Sequence, residues 1–407
     1  MGAVRKRCVF YLSGFDPKGA AHYHALYRDE AKLQSAVSGQ RIEVGPRKRQ
    51  ANGNFAWQVE SSEDGFDVST HYEFMRWDDV VRAHWQRNYW QVGLATMRTA
   101  LYNLRHGTLT AMARLAWPAA VALWLPPALL TATALFAPLV TAFCAWVLMA
   151  WGAHSLVAGA GALAAGLSTL FAARRLEQAH SMTWLMRSFA FTMRQAQGRT
   201  PDLELRLDEQ AAILAARIEA GGDDEILVVG HSSGSIMATS VVARALRLLG
   251  GAAPPSLSLL TLGQCIPMLA LLPAHAFRRE LAEVAGVDGL TWVDFSAPPD
   301  GSCFALCDPI AGCGIKVAAP KADRPKLLPP RFAEMFDAAD YARLKKDRFR
   351  LHFQYIMASR KPVDYDYFRI TAGHASLGHR FESKPSVTDY TALRAFNRRK
   401  TEAAARP

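Results

Sequence analysis

The chain has 407 residues, half of them hydrophobic and a fifth charged, and its 47 Lys and Arg against 36 Asp and Glu leave a formal net charge of +11. Core size is not limiting at this length: two or three domains fit, and so does one large α/β domain carrying an insertion. The positive charge points to nucleic acid or an anionic surface; no nucleic-acid motif or aromatic-basic repeat occurs, so membrane lipid is the expected partner.

At the N-terminus, residues 8–12 are apolar, but charges at Arg5, Lys6 and Arg7 leave the stretch too short for a secretory signal. Lys6 also stands where a myristoylation signal at Gly2 needs Ser or Thr. Residues 8–12 read as a strand running into the loop Ser13-Gly14-Phe15-Asp16-Pro17, with a helix over 20–37. Extended segments are expected at 41–44 and 71–75. A helical stretch over 85–104 carries Trp85, Tyr89, Trp90 and Tyr102, aromatics suited equally to packing and to a membrane interface.

From Leu115 to Ala173 there is no Asp, Glu, Lys or Arg, an uncharged run of 59 residues. A spanning helix needs about 20 apolar residues, so the run predicts two membrane helices joined by a turn. Pro126-Pro127, Ala137-Pro138 and Trp151-Gly152 are the candidate breaks, and Gly159, Gly161 and Gly166 supply a small-residue face for close packing. Arg105, Arg114, Arg174 and Arg175 flank the run, which places both ends in the cytoplasm and the anchor in the cell inner membrane.

Beyond the run, 176–197 is helical, and Pro201 opens a helix to 220 that Gly221-Gly222 ends. Residues 225–229 form a strand, Gly230 to Gly234 a turn, and 235–249 a helix. Strands are expected at 257–262 and 290–295 around a helix at 274–285, alternating as a parallel sheet requires. Then follow a Pro-rich loop over 320–330, a helix over 338–358, a last strand at 367–371, and a frayed charged tail from Arg398. No internal repeat is visible. Six scattered cysteines read as free thiols, and Cys303, Cys307 and Cys313, lacking a fourth ligand at zinc-type spacing, as small buried residues rather than a metal site.

The strand, Gly230-His231-Ser232-Ser233-Gly234 and the helix after it form an arrangement with chemical meaning. A serine hydroxyl becomes a nucleophile when it protrudes beside a base, and a sharp strand-to-helix turn makes it protrude. Glycines two positions either side relieve the crowding there.

This segment resembles the nucleophile elbow of lipases and esterases in the α/β-hydrolase superfamily. The resemblance implies a mainly parallel α/β sheet with helices on both faces, interrupted here by the transmembrane hairpin. It divides the chain into residues 1–90 and 201–407, two parts of one hydrolase domain, around a membrane segment at 91–200. It also implies Ser232 as nucleophile, the Ser233 backbone N–H as one oxyanion donor, and a loop donor for which Phe15 N–H is the candidate. The acid should follow a later strand: Asp300 in Ala297-Pro298-Pro299-Asp300 fits, with Asp308 as competitor and Asp294 as a structural group. The base should come last, from His352, His374 or His379. His352, in His352-Phe353-Gln354-Tyr355, is similar to the family's His-x-x-Tyr segments, while His374 lies on a late loop; His231 is expected to point away from the serine. The reading is a serine hydrolase needing no cofactor and acting on esters, those of lipids included. A thioesterase, an acyltransferase or a non-catalytic membrane scaffold would share these features.

Overall fold

The computed structural model describes residues 3–179, 182–320 and 323–387, so Gly2 and the tail from Arg398 lie outside the described residues. The described chain forms two compact units, one of residues Met1–Trp85, Arg114–Ala116 and Arg194–Pro407, the other of Gln86–Ala113 and Trp117–Met193.

The first unit begins β1 (Lys6–Leu12), α1 (Ala20–Ser38), β2 (Arg41–Val44), β3 (Lys48–Arg49), β4 (Phe55–Glu63), β5 (Phe66–Phe74) and α2 (Asp78–Ala83). The second unit contains α3 (Tyr89–Arg105), most of α4 (Thr108–Ala150), α5 (Ser155–Ala179) and nearly all of α6 (Met182–Ala196). The first unit resumes with α7 (Pro201–Ala220), β6 (Glu225–His231), α8 (Gly234–Leu248), β7 (Leu257–Leu262), α9 (Ile266–Ala270), α10 (His275–Gly286) and β8 (Thr291–Phe295). It ends with α11 (Pro309–Gly312), β9 (Lys326–Leu328), α12 (Ala338–Lys346), α13 (Arg348–Phe353), α14 (Tyr367–Ala372) and α15 (Leu377–Arg380).

The strands form one nine-stranded mixed sheet in the order β2-β4-β5-β1-β6-β7-β8-β9, with β3 against β4. From β5 to β9 every pairing is parallel; β2, β3 and β4 join antiparallel at one edge. Central strands covered on both faces need continuous apolar runs, and β6 is buried at every position. Val9, Tyr11, Leu227, Val229, Leu260, Leu262, Val293 and Phe295 face one core with Tyr23 and Tyr27 of α1. Alternation sends Gly230 to the other face, where a Cβ would lie 2.8 Å from Ala238 of α8. Helices therefore cover both faces.

Several expectations are corrected. Residues 367–371 are helix α14, not a strand, because Asp366 caps the Phe368 and Arg369 amides and so starts a helix in a short apolar run that fits either form. The 320–330 loop contains edge strand β9, paired with β8 from Lys326 to Leu328. The helix over 338–358 is broken into α12, α13 and a 3₁₀ turn at Gln354–Ile356, with Asp347 ending one and capping the next. Hairpin β4–β5 extends far beyond the strand expected at 71–75, since its outer positions are polar.

In the second unit, the prolines do not divide the apolar run. Pro118, Pro126, Pro127 and Pro138 lie inside α4, whose single non-helical residue is Ala116, and the turn falls at 151–154 after Trp151-Gly152. Two helices, Thr108–Ala150 and Ser155–Gln178, are long and apolar enough to cross a membrane. They pack antiparallel, with Leu148 over Gly161 and Thr141 over Gly166, where an added Cβ would press on those side chains.

Candidate active site

Parallel register sets the site. Leu12 pairs with Gly230 and His231 with Leu262, so the loops after β1, β6 and β7 leave the sheet at the same carboxyl edge, joined by the loop after β8. Crevices at this edge are where open α/β sheets hold ligands.

Ser232 sits between β6 and α8 with φ of +59°, a left-handed conformation rare outside glycine. Such a conformation costs about 1–3 kcal/mol and persists only when its surroundings over-determine it. Here they do: the Ser232 N–H donates to Leu262 O at 2.8 Å, and its carbonyl accepts from the Ser235 N–H at 3.0 Å. A Cβ on Gly230 would meet Gly234 O at 2.6 Å, and one on Gly234 would meet Ser13 O at 2.6 Å. The turn is thus pressed against both its own helix and the β1 loop. On Gly14 a Cβ would lie 3.3 Å from Ser232 Oγ, so that loop's backbone borders the hydroxyl directly.

His352 and Asp300 form a buried pair, Nδ1 to Oδ2 at 2.8 Å. Asp300 is held from three sides, its Oδ2 also accepting from the Tyr355 hydroxyl at 3.1 Å and its Oδ1 from the Ser302 N–H at 3.0 Å. Burial alone would raise its carboxyl; the His352 imidazole and these hydrogen bonds overcome that and hold it below the usual carboxylate range.

A chain of contacts links the pair to Ser232 in two directions. On one side His231 Nε2 bonds the His352 carbonyl at 2.9 Å. On the other, Ser232 Oγ lies 3.8 Å from Cys265 Sγ, which donates to Ser302 O at 3.4 Å, beside Asp300. Burial and the neighbouring His352 push His231 down to about 3, so it is neutral and serves as a strut. Burial pushes Cys265 up to about 12, which keeps it a thiol and removes it as a nucleophile.

The competitors are elsewhere. Asp308 caps α11 through the Ile310 and Ala311 amides, and Asp294 accepts from the Thr261 and Ser296 hydroxyls. The His374 carbonyl bonds Val4 N, and its ring stacks on Phe66, at the entry end of β1 and β5. His379 lies in α15, whose Leu377 amide bonds Glu225 at the start of β6. Six strand residues separate that edge from Ser232, about 20 Å, beyond a histidine's reach.

The Phe15 N–H, expected to point into the site, donates to Ser233 Oγ at 2.8 Å. That hydrogen is therefore engaged by a side chain of the turn. No local pattern in the sequence marks Ser302 or Cys265 as part of this cluster, and Tyr355 is legible only as the tyrosine three residues after His352.

Ser232 and the carboxylate-bound imidazole of His352 are thus brought to one edge of the sheet, linked through His231 and Cys265. No family model, curated protein or solved structure matches this chain.

Proposed function

We propose that the protein is a membrane-anchored serine hydrolase that cleaves carboxylic esters, those of lipids included, through an acyl-Ser232 intermediate. The observation that carries the reading is the left-handed Ser232 at a strand-to-helix turn on the same sheet edge as the buried His352–Asp300 pair.

Asp300, ionised, accepts a hydrogen bond from the Nδ1–H of His352, which leaves Nε2 unprotonated to take the Ser232 proton as Oγ attacks the ester carbonyl. The tetrahedral oxyanion is held by the Ser233 N–H at the head of α8 and by the Phe15 N–H, which exchanges the Ser233 hydroxyl for the substrate oxygen. Collapse expels the alcohol with the proton from His352. Water, deprotonated by the same imidazole, then releases the acid and restores Ser232.

The anchor in this reading is the α4–α5 hairpin. The uncharged part of α5, residues 155–173, spans about 28 Å, close to a bilayer's hydrocarbon thickness. Flanking arginines favour the inner membrane with the soluble parts in the cytoplasm. An even number of crossings also keeps β1 and β6, which pair in one sheet, in one compartment.

The test is labelling of membranes with a fluorophosphonate probe, wild type against Ser232→Ala. Labelling lost in the variant is the expected result. A folded, inserted wild type that never labels would favour a non-catalytic scaffold.

A further inference from the structure

Helix α3 is amphipathic in the reverse sense for a packed helix. Its apolar residues Trp90, Leu94, Met97, Leu101 and Leu104 are exposed, Trp90 by 77% and Leu101 by 62%, and at helical spacing they form one stripe about 80° wide. The opposite face is buried and largely polar, with Thr96, Thr99 and Asn103. These need no outside partner, because each bonds the carbonyl four residues back in α3 itself. Arg98 and Arg105, seven residues apart and exposed, run along one flank of the stripe.

The helix also has a defined level on the hairpin. Tyr89 accepts a 2.8 Å hydrogen bond from Arg174, the first charge after the uncharged run, and Met97 Sδ lies 4.0 Å from Thr131 Oγ1. Thr141 over Gly166 sets Arg174 level with Thr133, one turn or less from Thr131. Tyr89 and Met97 are about 12 Å apart along α3, while their contacts differ by about 3–4 Å along α4. This half of α3 therefore touches α5 where its charge-free part ends and α4 at Thr131, inside the uncharged run.

We infer that α3 is a third, non-spanning membrane element, lying in the headgroup region of an anionic leaflet with its apolar stripe in the acyl chains and Arg98 and Arg105 on lipid phosphates. The stripe turned outward, aromatic residues at its leading end and cations on its flank are the features of a helix in a bilayer interface. Each arginine near an anionic surface contributes about 1 kcal/mol, about fivefold in local lipid preference. The inference rests on the membrane reading of the hairpin and not on chemistry at Ser232.

The full-length protein, reconstituted in mixed phosphatidylglycerol and phosphatidylcholine bilayers, is photo-crosslinked from p-benzoylphenylalanine in Leu101→p-benzoylphenylalanine, with Phe143→p-benzoylphenylalanine as hairpin control. Adducts are read by mass spectrometry. Expected are lipid adducts at both positions, with the phosphatidylglycerol-to-phosphatidylcholine ratio of the adducts at position 101 at least about fivefold above that of the bilayer and the enrichment lost on adding Arg98→Gln and Arg105→Gln. Adducts to a second copy of the chain, lipid adducts without enrichment, or none at 101 beside lipid adducts at 143 overturn the inference alone. No lipid adducts at either position overturn the membrane reading with it.

Discussion

Phe15 donates its backbone N–H to the Ser233 hydroxyl at 2.8 Å, while the adjoining Gly14 backbone borders Ser232 Oγ. The amide proposed as an oxyanion donor is thus occupied by the side chain next to Ser232. In the proposed reaction a substrate oxygen displaces that hydroxyl, at a net cost of about 1 kcal/mol for a neutral hydrogen bond. Ser233→Ala is expected to raise kcat/KM on a small ester up to about fivefold. A fall of about a hundredfold would instead make the hydroxyl itself the oxyanion donor.

The imidazole at position 352 is expected to be the base. His352→Ala should lower the rate of fluorophosphonate labelling by at least about a thousandfold, and Asp300→Asn by a similar factor through loss of the correct tautomer. His374→Ala, at the far edge of the sheet, should label at the wild-type rate. Equal loss from His374→Ala would place the base elsewhere.

Gly234 has no room for a side chain, since a Cβ would press on Leu12 O and lie 2.6 Å from Ser13 O. Backbone cannot yield as a flexible side chain does. Gly234→Ala is expected to destabilise the protein by at least about 2 kcal/mol, seen as a lower denaturant midpoint of the solubilised protein.

Burial raises the Asp294 carboxyl from 3.8 to about 7 against the Thr261 and Ser296 hydroxyls. Because the folded state holds this proton more tightly, its contribution is complete below pH 3.8 and is lost as pH rises through about 7. Asp294→Asn removes that titration. The stability difference between wild type and variant should shift against wild type between pH 4 and pH 7, followed by urea midpoints, and a difference independent of pH would contradict the assignment.

Much of this arrangement was legible in the residues. Residues 257–262 and 201–220 form the strand and helix expected of them, and the Gly-x-Ser-x-Gly turn lies between a strand and a helix as its spacing implies. Such features are local: a β-branched run, a proline at a helix start or two glycines around a serine act within a few residues. Residues 367–371 differ from the expected strand for the same reason, since a short apolar segment suits strand or helix until its cap and its packing decide.

The sequence by itself determined the strand-turn-helix around Ser232, the charge-free helical pair and the alternation of strand and helix, because each follows from neighbours along the chain. Only the tertiary structure decided that His352 meets Asp300 across 52 positions, that His374 lies at the opposite edge, and that Ser233 covers the Phe15 amide across 218. Those pairings follow from strand order and register, which bring distant segments to one edge of the sheet and which no local spacing encodes.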